Sequence, residues 1–184
     1  MNDVRNDVRN DARNDARLGA ARKRLAESRD QADAIEGLRE IAANFLGSEE
    51  IGLFKIDRRT ATLQALWSFG IDLEKCDPLL ELGHSGFQRV MSGECQFEFV
   101  RRERSDAMAK AQAFVPIRQA NQTIAILAIF RLLPQKLAFD RSDTELFKLL
   151  SEEAAQPLFG TNAHLEPAIE GRGKGRGTGR GTGI

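Results

Sequence analysis

The chain has 184 residues, enough for one ordinary domain with extensions, and its 27 basic residues balance 27 acidic ones. A chain so balanced has no global field to draw it to nucleic acid or an anionic membrane. Its longest unbroken apolar run, 124–130, falls far short of the ~20 residues that span a bilayer, and the opening MNDVRNDVRND lacks the apolar centre of a secretory signal. Two cysteines, Cys76 and Cys95, make no disulfide framework. The expectation is a cytoplasmic protein.

Residues 1–17 are four tandem units, NDVR, NDVR, NDAR and NDAR. On a helix this repeat stacks Asp over Asp and Arg over Arg, so every i,i+4 charge pair is repulsive. Asn and Asp are also poor helix formers. The segment is therefore expected to be disordered. From 18 to 46 a helical pattern follows. Leu18, Leu25 and Ala32 recur at seven-residue spacing, which suggests a coiled-coil seam, and the later apolar residues widen into a core-facing stripe. Gly47-Ser48 should end this helix.

EIGLFKID (50–57) and TATLQALWSF (60–69) read as two strands, with Leu63, Ala65, Trp67 and Phe69 alternating onto one face of the second. In GHSGFQRVMSGEC (83–95), Ser85 and Gln88 are spaced as a capping box and Phe87, Val90 and Met91 form an apolar helical face. Gly93 stands where a left-handed cap would close a two-turn helix. QFEFV (96–100), AFVPIRQ (113–119) and TIAILAIF (123–130) complete the strands, with a turn at Asn121-Gln122. The last strand is apolar at both parities and should be central, with both faces covered. A closing helix should begin near Asp140 or Ser142, with Ser142 and Glu145 as its capping box, and stop before Pro157. Residues 160–184 end in GRGKGRGTGRGTGI, a flexible Gly/Arg-rich tail with no aromatic residue to stack on bases, so nucleic-acid binding is not expected.

His84 and His164 are eighty residues apart and no Cys-x-x-Cys exists, so no metal site is expected. No Cys–His pair stands at local spacing, so no catalytic residue is assigned. Cys95 reads as a small packing residue.

Four stretches together resemble the GAF domain family: LGSEEIGLFKID, LGHSGFQRVMSGE, AFVPIRQANQTIAILAIF and AFDRSDTELFKLLSEEA. They are similar to that family's first strand, short helix, hairpin and closing helix, although the hairpin's usual glycines are replaced by Ala120 or Asn121 and by Ala125. The resemblance covers residues 30–159. It implies an α+β fold, GAF/PAS-like, whose central antiparallel sheet of five to six strands carries the first and last helices on one face. It further implies a stand-alone bacterial sensory or regulatory module, not an enzyme, binding a small ligand or a partner protein in a signalling pathway. A pocket of the kind other GAF domains use would here be lined by Trp67, Phe87, Phe97, Phe99 and Phe114, with Arg101 at its mouth. The segment 101–110 is too short to enclose a large cofactor, so none is expected. Helix pairing along 18–46 implies a homodimer. Two other readings stand beside this one. The first is a ligand-free interaction or dimerisation scaffold whose pocket is filled by its own aromatics; the second is an enzyme resembling methionine sulfoxide reductases.

Overall fold

The strand that was apolar at both parities sits at the middle of the sheet. The computed structural model describes residues 3–57, 62–72, 89, 98–99 and 111–160. The strands are β1 (Ser48–Asp57), β2 (Thr62–Phe69), β3 (Glu98–Phe99), β4 (Ala113–Gln119) and β5 (Gln122–Leu132). Their order is β2-β1-β5-β4-β3 and every pairing is antiparallel. Four strands are of full length; β3 contributes two residues at one edge.

β5 pairs with β1 on one side (Leu53↔Leu127) and with β4 on the other (Val115↔Leu127). Its two parities feed two cores. Ala125, Leu127 and Ile129 join Ile51, Leu53, Val115 and Ile117 beneath the helices. Ile126, Ala128 and Phe130 join Phe54, Ile56, Ala111 and Phe114 on the opposite face. Fully buried side chains of this kind contribute about 1.5–3 kcal/mol each, so the double-sided strand is the fold's main source of cohesion.

The β4–β5 hairpin turns at Ala120 (φ 49) and Asn121 (φ 63), between the paired Gln119 and Gln122. Two consecutive positive φ values in a two-residue loop define a type I′ turn, whose twist matches that of the strands it joins. The turn thus lies one residue earlier than Asn121-Gln122, and Gln122 is already in β5.

The helical layer is α1 (Asp3–Ala26), α2 (Gln31–Ile41), a π-helical turn (Ala42–Leu46), α3 (Arg141–Glu153) and α4 (Ala155–Phe159). Gly47, at φ 64, closes the π-helical turn in the left-handed conformation, where the sequence places the helix end. The helices lie on one face of the sheet, because their apolar residues share a single cluster with the Leu53 face.

Three sequence expectations are corrected here. Residues 3–17 are helical rather than disordered. Ala21 and Leu25 anchor α1 in the core, so the residues before them extend an existing helix and avoid the cost of nucleation. The single helix expected over 18–46 is two helices. Asp30 accepts a hydrogen bond from the Asp33 N–H at 2.8 Å and starts α2 afresh, which breaks the coiled-coil seam. The cap of α3 is Asp140 with Asp143, not Ser142 with Glu145, since those two side chains are engaged by α1. The closing helix α3 does stop before Pro157, at Glu153, and Pro157 falls in the further short helix α4. It is the third residue of a new helix, where its missing N–H would have had no intrahelical partner.

The expected short helix 85–92 falls outside the described residues except for Arg89, which is helical. The tail 161–184 also lies outside them.

Candidate functional site

The candidate lining residues do not all share a face. β1 and β2 pair Leu53 with Trp67 but Phe54 with Ala65, so Leu66 is an extra residue on β2. A one-residue bulge reverses the side-chain alternation. Trp67 and Phe69 therefore lie on the helix-covered face, while Leu63 packs against the Phe54 cluster on the other. The expectation that Leu63, Ala65, Trp67 and Phe69 share one face fails for this reason. Trp67 stacks on Phe69 with ring centroids 6.3 Å apart, and the Arg39 guanidinium sits 5.0 Å from the Phe69 ring centroid. This makes a half-buried aromatic edge held by a cation–π contact.

Phe114 lies on the opposite face and is buried. The sheet separates it from Trp67, so the structure does not bring these two candidates together. Phe99 is placed by its backbone in β3, opposite Ala113. Phe87, Phe97 and Arg101 lie outside the described residues, as do Cys76, His84, Cys95 and His164. Among the described residues no group of His, Cys, Asp and Glu side chains could hold a metal ion, and no helix is long and apolar enough to cross a membrane.

The face that carries Phe114 has a specific construction. Gly52 on β1 pairs with Ala128 on β5, which in turn pairs with Phe114 on β4, so small residues occupy the centre. A Cβ on Gly52 would lie 2.8 Å from Cε2 of Phe54 and 3.4 Å from the Phe130 ring. The Phe54 ring crosses the space that this missing side chain leaves. Phe54, Phe114 and Phe130 are all buried there. The result is an apolar aromatic wall built directly on the backbone of the central strands.

A second feature was not anticipated from the sequence. The Asp143 side chain is fully buried at the start of α3. It accepts hydrogen bonds from Arg17 of α1 at 2.7 Å, from Lys136 at 2.7 Å and from the Asp140 N–H at 2.9 Å. Arg17 also donates to Ser142 Oγ at 2.5 Å and to the Phe45 carbonyl at 2.7 Å, and Asn14 donates to Glu145. A carboxylate this deep is tolerable because two cations and a backbone donor satisfy its oxygens. Asp140, beside it, is held below the usual carboxylate range, mainly by the hydrogen bond from the Ser142 hydroxyl. Only the spacing of Asn14 and Arg17, i,i+3 on one helix face, could have signalled the junction, and the repeats hid which unit would dock.

A shallow depression of about 300 Å³ is lined by Glu49, Glu50, Arg131, Leu132, Leu133 and Pro134. It contains none of the candidate residues, and the Glu50–Arg131 ion pair lies at its surface. Its polar rim shows no convergence of groups that would orient a ligand.

No protein-family model matches the chain, and no curated protein matches it. Solved structures do. The GAF domain of an Acinetobacter phosphoenolpyruvate-protein phosphotransferase is similar over 77% of this chain and 92% of its own length, with a TM-score of 0.52 and 16% identity. A GAF domain/HD domain protein from Geobacter sulfurreducens is similar over 73% of this chain and 95% of its own, with a TM-score of 0.53 and 16% identity. A methyl-accepting chemotaxis protein fragment is similar over 77% and 96%, with a TM-score of 0.53 and 17% identity. The fold is that of GAF domains.

Proposed function

We propose that this chain, with its GAF-domain fold, is a sensory or regulatory module without catalytic activity. In this reading the sheet face that carries Phe114 binds a small ligand or a partner protein of a signalling pathway. The observation that carries it is the buried aromatic cluster of Phe54, Phe114 and Phe130 on the sheet face opposite α1–α4. The signalling context of the similar structures, a phosphotransferase and a chemotaxis protein among them, supports the regulatory part. Binding sites of this kind are largely apolar, with a few polar groups that fix orientation. Native mass spectrometry of the protein purified from its own host tests the reading. A retained small molecule, lost in Phe114→Ala while the fold persists, is the expected result. Release of an unchanged ligand complement by Phe114→Ala would remove that face from the proposal.

The scaffold reading is favoured by one observation, the Phe54 ring lying across Gly52 and filling space on the same face. It predicts a protein that is free of small molecules and binds only a macromolecular partner. The third reading, a sulfoxide-reducing enzyme, requires Cys95 and predicts that Cys95→Ser abolishes methionine sulfoxide reduction. The homodimer needs a different surface from the one the sequence suggests. Leu25, Leu38 and Ile41 of the 18–46 segment are consumed by the chain's own core.

A further inference from the structure

Every α3 side chain that holds residues 14–17 of α1 has a second partner of its own. Asp143, which accepts from Arg17, also accepts from Lys136 at 2.7 Å and from the Asp140 N–H at 2.9 Å. The Ser142 hydroxyl, which accepts from Arg17, donates to Asp140 at 2.6 Å. Glu145, which accepts from Asn14, lies 3.5 Å from Arg141. The remaining contact, from Arg17 to the Phe45 carbonyl, is at the end of a helical segment, where water can replace a lost donor. The α1 side of the junction is less complete. Asn14 Oδ1 and Arg17 Nε are buried with no hydrogen-bond partner among the described residues, which costs the docked state and not a released one.

We propose that residues 14–17 are a clasp with two states, docked on α3 or released and unwound, and that release leaves the domain folded. The hinge is Gly19. It lies between the clasp and the buried Ala21 and Leu25, and a Cβ there would meet nothing within 4 Å. Packing therefore does not require glycine at this position, and a glycine in a helix interior favours unwinding. Beyond the hinge, α1 is held independently of the clasp. Arg22 pairs with Glu153 at 2.8 Å, and Arg24 pairs with Asp33 at 2.9 Å and with Glu40 at 2.6 Å. Before the hinge, the sequence opposes the helix. Asn and Asp are poor helix formers, and Asp11 with Asp15 and Arg13 with Arg17 are like-charged i,i+4 pairs. Once Arg17 leaves Asp143, nothing in the repeat itself favours the helical turn, and unwinding stops at the anchored residues. Release also uncovers Asp143, the buried carboxylate of the α3 capping box. This is an order–disorder device at the junction of α1, α3 and the loop that follows β5. The proposal does not depend on what the sheet face binds.

Amide hydrogen exchange on the full chain tests it. The N–H groups of Leu18, Gly19 and Ala20 point in the helix to the carbonyls of residues 14–16, so they report the clasp. In the wild type they should exchange well before the amides of Ile126 to Ile129 in β5. Arg17→Ala should speed their exchange at least about tenfold. The Thr144 amide, bonded to the Asp140 carbonyl at 3.2 Å, should keep its wild-type rate in that variant, as should β5. Gly19→Ala should slow exchange at Leu18 and Ala20 about fivefold, the ratio expected when alanine replaces glycine in a helix. Added to Arg17→Ala, it should restore part of the lost protection. Wild-type rates at Leu18 to Ala20 in Arg17→Ala would overturn the clasp. Loss of Thr144 protection together with theirs would overturn the independence of α3, and unchanged rates in Gly19→Ala would overturn the hinge.

Discussion

Ala120 and Gly70 sit on opposite sides of the same backbone rule. Ala120 holds φ 49 in the type I′ turn, a left-handed conformation that costs a residue with a Cβ roughly 1–2 kcal/mol. Glycine adopts it freely but loses more entropy on folding, so Ala120→Gly should stabilise the protein by about 0.5–1 kcal/mol. A denaturant midpoint that moves up without a change of slope checks this. Gly70 is at φ 73 just beyond β2, and a Cβ there would stand 1.9 Å from the Glu49 carbonyl oxygen. Backbone cannot yield as a flexible side chain can. Gly70→Ala should cost at least about 2 kcal/mol by combined strain and displacement, read in the same titration. At Asp143 the penalty is electrostatic. Asp143→Ala leaves Arg17 and Lys136 facing each other without their shared carboxylate, and also removes the capping box of α3. Both cations retain some exposure, so a loss of about 3 kcal/mol is expected, at the low end for a broken buried pair.

At the scale of elements, acid sensitivity concentrates where helices begin. Asp140 caps α3, and Asp33, in the first turn of α2, accepts a hydrogen bond from the Arg29 N–H. Both are held below the usual carboxylate range, Asp33 chiefly by that backbone hydrogen bond and then by Arg24. Glu36 is lowered too, by its pairing with Arg39. A carboxylate with a depressed folded pKa binds fewer protons when folded than when unfolded. Its contribution is therefore complete above the unfolded value, about pH 4, and is lost as pH falls through the folded value. Stability should be flat in these groups above about pH 6 and fall below about pH 4. Asp140→Asn keeps an N-cap acceptor but cannot titrate, so the stability difference between acid and neutral pH should shrink in that variant, as followed by circular dichroism.

The elements also show what a sequence can and cannot disclose. β5 was legible because apolar residues at both parities require two covered faces. The end of the helical segment at Gly47 was legible because only a left-handed residue closes a helix there at low cost. The bulge at Leu66 was not, since one extra apolar residue inside an apolar strand leaves the alternation looking intact on either side. That single residue carried Trp67 to the helix face and separated it from Phe114. The caps were misassigned for a related reason. Ser142 and Asp140 both suit an N-cap, and the choice is made by Arg17, which arrives from a segment more than a hundred residues away and engages the Ser142 hydroxyl.

For the whole molecule, α1 is the element that sequence arithmetic misjudged most. The repulsion within its repeats is real, but it was weighed for an isolated helix. In the folded chain, Ala21 and Leu25 seed the helix and Asn14 and Arg17 pin it to the start of α3. Of the two repeat units whose side chains are described, 10–13 and 14–17, the second makes the Glu145 and Asp143 contacts, because it stands beside the anchored turns. Truncation should therefore act as a step rather than a gradient. Removal of residues 1–13 leaves every one of these contacts in place and should shift the unfolding free energy by less than about 0.5 kcal/mol, as surface changes do. Removal of residues 1–17 takes Arg17 from Asp143 and leaves Lys136 as its one cation, which should cost about 2 kcal/mol. For a domain of this size that corresponds to a melting temperature lower by roughly 4–8 °C, measurable by calorimetry. Equal melting temperatures for the two truncations would mean that the docked unit contributes no more than the exposed ones.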